Sequence, residues 1–365
     1  MTLLPTTMVG SYPRPSWFTQ QLAGRDVLEA FKEIRHQEAF EDAVRVVLDD
    51  QEQAGLDIVT DGQMWFDDYS MGIGSFLWYW FERIHGFGNE KLPHPAAGQA
   101  GGDSGDAFVL DEAGGVAVIG ELERGPLRLA HLYKLAQAKT STPVKACVGA
   151  GPIQLATLAH FKGGPLGNRY ELAEALSDIF RAEISDLVQA GCKHIQLEDL
   201  GAWIPNLSGS DDFDWVLRTV DRTLADVPAD VETSWHFCLG NAWGNRVKGM
   251  TEGGYTKILH RYHETRVGGF VLDYACRGMV DMEALGKVPA DKRLHVGVID
   301  VRSLEIEPPE QVAQRIRTIL KHVNAERVTL TTDCGMKQLP RVVAQGKLKS
   351  LTAGARIVRR ELTGE

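Results

Sequence analysis

The sequence predicts an α/β fold: an eightfold (β/α) barrel with a β-hairpin and a loop inserted between its second and third strands. Three observations lead there. Short apolar runs alternate with longer helical patterns, eight such runs remain once one hairpin is set aside, and reactive side chains sit where the runs end.

In chain order the runs are 6–13 (TTMVGSYP), 56–62 (LDIVTDG), 116–122 (VAVIGEL), 143–149 (PVKACVG), 193–200 (KHIQLEDL), 231–238 (VETSWHFC), 268–275 (GGFVLDYA), 293–300 (RLHVGVID) and 327–334 (RVTLTTDC). Continuous apolar runs of this length suit strands covered by helices on both faces. Nine is one more than a barrel takes. The run 116–122 pairs with 107–110 (AFVL) across the Gly-containing stretch 111–115, which reads as a hairpin outside the ring. Ahead of it, 85–106 is rich in Gly, Pro and Ala and reads as a loop, so 85–125 is expected as an insertion within a single catalytic barrel spanning 1–365. Helical periodicity is clear at 27–55, 170–191 and 309–326, the first two closing at a glycine suited to a helix C-cap.

Composition narrows the function. The chain is 44% hydrophobic and 24% charged, and no apolar stretch approaches the roughly 20 residues that span a bilayer. The N-terminus lacks the basic and apolar regions of a secretory signal, and five unevenly spaced cysteines make no disulfide framework, so a cytoplasmic protein with reduced thiols is expected. A net charge of −10 argues against nucleic acid or an anionic membrane as partner, because both reward clustered Lys and Arg. A small-molecule substrate is the better expectation.

In a β/α barrel the chemistry gathers at the C-terminal ends of the strands. Here those ends carry Ser11, Gln63, Glu198 with Asp199, His236 with Cys238, Asp273, and Cys334. His236 and Cys238 are two apart on an extended segment, so both side chains share one face and can reach one ion. With Asp273 and Cys334 they make two sulfurs, one imidazole and one carboxylate, a set that suits zinc. The competing reading of the His–Cys pair is a packed pair inside a strand. Cys276 rivals Asp273 as a ligand, while Cys147 and Cys192 read as core thiols. Zinc held by thiolates and imidazole can keep a substrate thiol deprotonated yet nucleophilic, so S-alkylation is the natural reaction and hydrolysis the competing one.

At these residues the chain resembles the C-terminal catalytic barrel of cobalamin-independent methionine synthase. The matching stretches run in order from MVGSYP (8–13) and GLDIVTDGQ (55–63) through TPVKACVGAGPIQL (142–155), AGCKHIQLED (190–199), SWHFC (234–238) and VLDYA (271–275) to GVIDVRS (297–303) and TTDCGMKQLP (331–340). The resemblance implies zinc ligands at His236, Cys238, Asp273 and Cys334, with Asp273 where the family usually has Glu. It implies that Gly10 and Ser11 hold the carboxylate of the acceptor amino acid, and that acidic residues hold its amino group. Glu198 matches one of those acids; Gln63 stands at the other and loses a charge-assisted hydrogen bond.

The aromatic residue on which the family stacks folate falls near Leu158, and its proton-donating histidine falls at Arg302, which cannot donate a proton at neutral pH. The family's N-terminal half, which helps to hold polyglutamylated folate, has no counterpart in these residues. These departures point to a methyl donor other than polyglutamylated folate, and to the short single-barrel branch of the family. That branch also includes the zinc enzyme that opens epoxides with coenzyme M. The expectation is thus a zinc-dependent thiol methyltransferase with homocysteine as default acceptor. Its partners are a small thiol and a small methyl or alkyl donor, with a methyl-donor protein as a further candidate. One alternative is epoxide opening, with Arg14 or Arg302 binding a sulfonate; the other is a non-catalytic zinc- or thiol-binding barrel. Asp199 is a candidate base or orienting acceptor. The aromatic run 64–80 either packs or lines the substrate mouth.

Overall fold

A computed structural model describes residues 2–18, 34–65, 73–95, 114–161, 163–241 and 254–364. Ten strands are assigned among them: β1 Val59–Thr60, β2 His85–Phe87, β3 Val116–Glu123, β4 Val144–Gly149, β5 Ala159–Phe161, β6 His194–Glu198, β7 Glu232–Phe237, β8 Gly269–Leu272, β9 Arg293–Ile299 and β10 Val328–Thr332. Seven form one curled parallel sheet in the order β1-β4-β6-β7-β8-β9-β10. These strands are buried along nearly their whole length, because helices cover the sheet and leave no face on which alternating polar residues would be wetted.

The N-terminal segment stands at both ends of this sheet. Thr6 bridges Leu330 of β10 in parallel, with Thr7 N donating to Leu330 O at 2.9 Å and Leu330 N to Pro5 O at 2.8 Å. On the other side Asp57 N and Ile58 N, just ahead of β1, both donate to Thr6 O at 3.0 and 3.1 Å. The Asp57 carboxylate fixes the segment further. Its Oδ2 accepts from Thr6 N, Thr6 Oγ1 and Arg359 Nη2 at 2.8, 2.7 and 2.6 Å.

Residues 116–122 stay out of the parallel sheet, as the run count requires. Their partner differs from the expected one: β3 lies in a separate three-stranded sheet, antiparallel to β2 and parallel to β5. The expected partner, 107–110, lies outside the described residues. Three-residue β5 has too short a run to carry a periodic signal.

The helices are α1 Ile34–Ala54, α2 Ile73–Phe81, α3 Leu129–Gln137, α4 Pro152–Thr157, α5 Arg169–Gln189, α6 Ile204–Ser208, α7 Phe213–Thr223, α8 Pro309–Leu320 and α9 Arg341–Thr363. Helix α5 starts where Asn168 accepts from Tyr170 N and Glu171 N, and both α1 and α5 end at a left-handed glycine, Gly55 and Gly191. The described part of the aromatic run mostly packs: Trp80 stacks on Phe180 of α5 with centroids 4.4 Å apart, and Leu77 and Tyr79 are buried. Phe76 is the exception and lines a cavity instead.

Hydrogen bonds to a charged group contribute about 1.5–3 kcal/mol net. Asp57→Ala should therefore cost roughly 2–3 kcal/mol in urea unfolding. A loss below about 0.5 kcal/mol would mean that the N-terminal segment is held by its backbone bonds alone.

Candidate metal and thiol site

Two strand ends meet across the curl of the sheet. Strand β7 alternates, so Phe237 packs outward on Tyr262 and Phe270 while His236 and Cys238 share the inner face. Cys334 follows β10 by two residues. The ligand atoms of His236, Cys238 and Cys334 all lie within 4.8 Å of one another, and the two sulfurs are 3.4 Å apart. Gly240 N donates to Cys238 Sγ at 3.3 Å.

Asp273, one residue past β8, is fully buried beside this trio rather than within it. Its Oδ1 is 3.1 Å from His236 Nε2, while Oδ2 accepts from Leu239 N at 3.1 Å and from Arg302 Nη2 at 2.9 Å. Burial alone would lower His236, but the hydrogen bond and charge of Asp273, with Cys334 and Glu198, outweigh it and raise the imidazole to about 9. The hydrogen bond between the sulfurs lowers Cys334, helped by His236, and the same bond together with burial pushes Cys238 up. One hydrogen bond joins the two sulfurs, and it shifts the two thiols in opposite directions. Cys276 stays outside the trio, its backbone N donating to Asp333 Oδ2 at 2.6 Å.

The trio forms part of the wall of a cavity of about 760 Å³, a volume that includes its open mouth. Ser11, Gln63 and Glu198 line it too. Glu198 ends β6, where Gln196 Nε2 donates to its Oε1 at 2.9 Å and Gln63 Nε2 to its Oε2 at 3.1 Å. Gln63 is presented from a left-handed turn with φ 50°, in which its own N donates to Asp61 Oδ1. Burial raises the Glu198 carboxyl, while His236, the two glutamine amides and Lys145 pull it back. Gly10 is packed beneath this pair: a β-carbon there would stand 2.9 Å from both Gln63 Oε1 and Glu198 Oε1. Ser11 O accepts from Met336 N, which joins the first segment to the loop that bears Cys334.

Three expected site residues are placed otherwise. Asp199 does not line the cavity; its carboxylate accepts from Ile153 N, Gln154 N and Gly201 N at 2.8–3.0 Å, fixing the start of α4 and the turn after β6, and burial raises it to about 6. Arg14 donates to Met64 O and lies over the Phe18 ring, outside the cavity lining. Arg302 is 4% exposed and committed to Asp273 and to Gly240 O. Leu158 is buried at the end of α4 and does not line the cavity either.

Sequence reasoning missed Gln154, Asn241 and Lys337, which line the cavity, as does Phe76 of the aromatic run 64–80. Gln154 Oε1 and Asn241 Oδ1 are buried and accept no hydrogen bond among the described residues. The available signal was position alone: Gln154 follows the Gly-Pro that opens α4, and Asn241 lies three residues past Cys238.

Residues 112–356 match the family described as cobalamin-independent synthase, catalytic domain. A methionine synthase of Saccharolobus solfataricus is 29% identical over 367 residues, covering 99% of this chain and 97% of its own length. One from Saccharolobus islandicus is 30% identical with the same coverage. The solved structure of a B12-independent methionine synthase from Shewanella sp. W3-18-1, in complex with selenomethionine, superposes with a TM-score of 0.81 at 26% identity and full coverage of both chains.

The contact between the first and last segments is tight enough to test. A β-carbon on Gly335 would stand 2.1 Å from Ser11 Oγ. Gly335→Ala should cost roughly 1–3 kcal/mol in urea unfolding, and Ser11→Gly in the same chain should restore most of it. A coupling energy near zero in that double-mutant cycle would show that the two segments are not packed together.

Proposed function

Because this chain belongs to the cobalamin-independent methionine synthase family, we propose that it is a zinc-dependent S-methyltransferase with homocysteine as acceptor. The observation that carries this reading is the trio His236, Cys238 and Cys334 on the wall of a cavity that also holds Ser11, Gln63 and Glu198.

The donor set fits the ion: two sulfurs and an imidazole within 4.8 Å are ligands that zinc prefers, and a carboxylate, Asp273, stands against the imidazole. When bound, zinc supplies the Lewis acidity that lets an acceptor thiol react as thiolate near neutral pH. The protein's own groups do the rest. Glu198 and the Gln63 amide oxygen receive the acceptor's ammonium, and Ser11 with the Gly10 backbone receives its carboxylate. The thiol gives up its proton, its sulfur forms the new S–C bond, and the donor fragment leaves with the electron pair of the bond to methyl.

The donor is one other than polyglutamylated folate. Supporting this, the positions where the family stacks and protonates folate hold Leu158, away from the cavity, and Arg302, locked in ion pairs. Epoxide opening with coenzyme M called for Arg14 or Arg302 to bind a sulfonate, and neither lines the cavity. A non-catalytic role leaves without purpose the trio's place on the wall of a cavity that Ser11, Gln63 and Glu198 also line. The same reading takes the run 6–13 as an eighth stave and 85–125 as an insertion within one catalytic barrel. The hydrogen bonds of Thr6 at both ends of the sheet, and the separate three-stranded sheet, support it.

The purified chain should carry about one zinc, and Cys238→Ser or Cys334→Ser should abolish metal retention and methyl transfer together. Full occupancy in Cys334→Ser, measured by metal analysis, would remove that residue from the site. Gln63→Glu tests the acceptor's pose. By restoring an acid it should tighten homocysteine roughly ten- to hundredfold and weaken a sulfonate thiol without an amine, such as coenzyme M. Parallel titrations in which neither affinity moves would show that Gln63 does not contact the acceptor.

A further inference from the structure

We infer that Gln154 recognises the amino group of homocysteine: its carboxamide oxygen joins Glu198 and Gln63 Oε1 as the third hydrogen-bond acceptor for the three N–H groups of the ammonium. This rests on the homocysteine reading of the site and adds to it a specificity-determining residue, with Asp199 as the positioning residue behind it.

Gln154 is 7% exposed, and within the buried stretch 152–156 it is the one polar side chain. It lines the cavity, and its Oε1 accepts no hydrogen bond among the described residues. A buried carbonyl oxygen left in this state is costly unless a ligand brings an N–H or O–H to it.

The fold places that oxygen at the Glu198 end of the cavity. Strand β4 pairs with β6 so that Gly149 stands beside Glu198, and α4 begins three residues after Gly149. Asp199, the neighbour of Glu198, then accepts from Ile153 N and Gln154 N at 2.9 and 3.0 Å. The junction is close-packed: a β-carbon on Gly151 would collide with the Asp199 carboxylate, and one on Gly201 with the Ile153 side chain. The backbone of Gln154 is thereby held against the end of the strand that presents Glu198. Asn241 Oδ1, also buried and without a partner among the described residues, belongs to the sulfur end. Its Nδ2 donates to Gly335 O, next to Cys334.

Charge and hydrogen bonds both close with this set. An ammonium carries one positive charge and three N–H donors. Glu198 is the one carboxylate among the described residues of the lining, and Gln63 spends its Nε2 on Glu198 Oε2, which leaves its Oε1 to accept. Gln154 supplies the remaining acceptor without adding charge. A thiol of the same length that lacks the amine would leave Gln154 Oε1 buried and unpaired, which is how a site built for a polar group rejects the analogue without it.

Titration calorimetry on the zinc-loaded chain tests this with L-homocysteine and 4-mercaptobutyrate, which keeps the thiol, carboxylate and chain length and lacks only the amine. Wild type should bind homocysteine at least a hundredfold more tightly. Gln154→Met, close in size, should weaken homocysteine roughly tenfold or more and leave 4-mercaptobutyrate within about twofold. Gln154→Glu should tighten homocysteine and weaken 4-mercaptobutyrate. An equal loss for both thiols in Gln154→Met, an unmoved homocysteine affinity there, or a homocysteine affinity weakened by Gln154→Glu would overturn the inference while leaving homocysteine as the acceptor. Should the variants fail to fold, a crystal structure of the wild-type chain with L-methionine decides. Oε1 of Gln154 should lie about 2.7–3.2 Å from the amino nitrogen, and a separation beyond about 4 Å would overturn the inference. A wild-type chain that binds neither thiol would overturn the homocysteine reading, and this inference with it.

Discussion

The constraint on which the rest depends is the curl of the parallel sheet. Strands β7 and β10 are separated by β8 and β9, so in a flat sheet their ends would lie about 14 Å apart at the usual ~4.8 Å strand spacing. The sulfurs that follow them are 3.4 Å apart. Only a sheet curled tightly enough to bring these ends together over its interior makes a ligand cluster of them. The same curl brings β6 close enough for Glu198 to share the cavity.

Inside that curve the sheet is unusually polar, and the polarity is organised. Lys145 Nζ donates to Met8 O and to Gln196 Oε1, Gln196 Nε2 donates to Val9 O and to Glu198 Oε1, and Gln63 closes the chain on Glu198. Burial lowers Lys145, whose Nζ donates both of these hydrogen bonds at 2.6 Å. A buried network of this kind is favourable only when its members are satisfied, and once satisfied it leaves little rotational freedom. Glu198 is therefore presented to the cavity in one orientation, and the first segment is tied to β4 and β6 through the same groups.

Most of the sheet was legible in the sequence because parallel strands buried on both faces must be continuous apolar runs, and the seven strands fall inside seven of the runs. The trio was legible for a different reason: a two-residue spacing on a strand fixes a shared face, and Cys334 ends another strand. Turns beyond the strand ends are harder to read. Asp199 and Glu198 are adjacent and both acidic, yet one faces the cavity and the other caps backbone amides, because the segments around the end of β6 supply three N–H donors that no pattern announces. Arg302 looked available to a substrate because its partners, Asp273, Gly240 and Asp333, come from other loops. Gln154 and Asn241 gave no signal beyond position.

The bridge between Thr6 and Leu330 sets an order of assembly. The chain's first segment meets residues 57–58 early, but its β10 partner only after more than 300 further residues have been made, so one of its two edges stays unpaired while synthesis proceeds. Contacts of such long range are slow to form, and the cavity, with Ser11 on one wall and Cys334 on the other, is complete only when they do. A nascent or half-folded chain thus presents no assembled trio of His236, Cys238 and Cys334, and their meeting is a late event that reports completion of the fold.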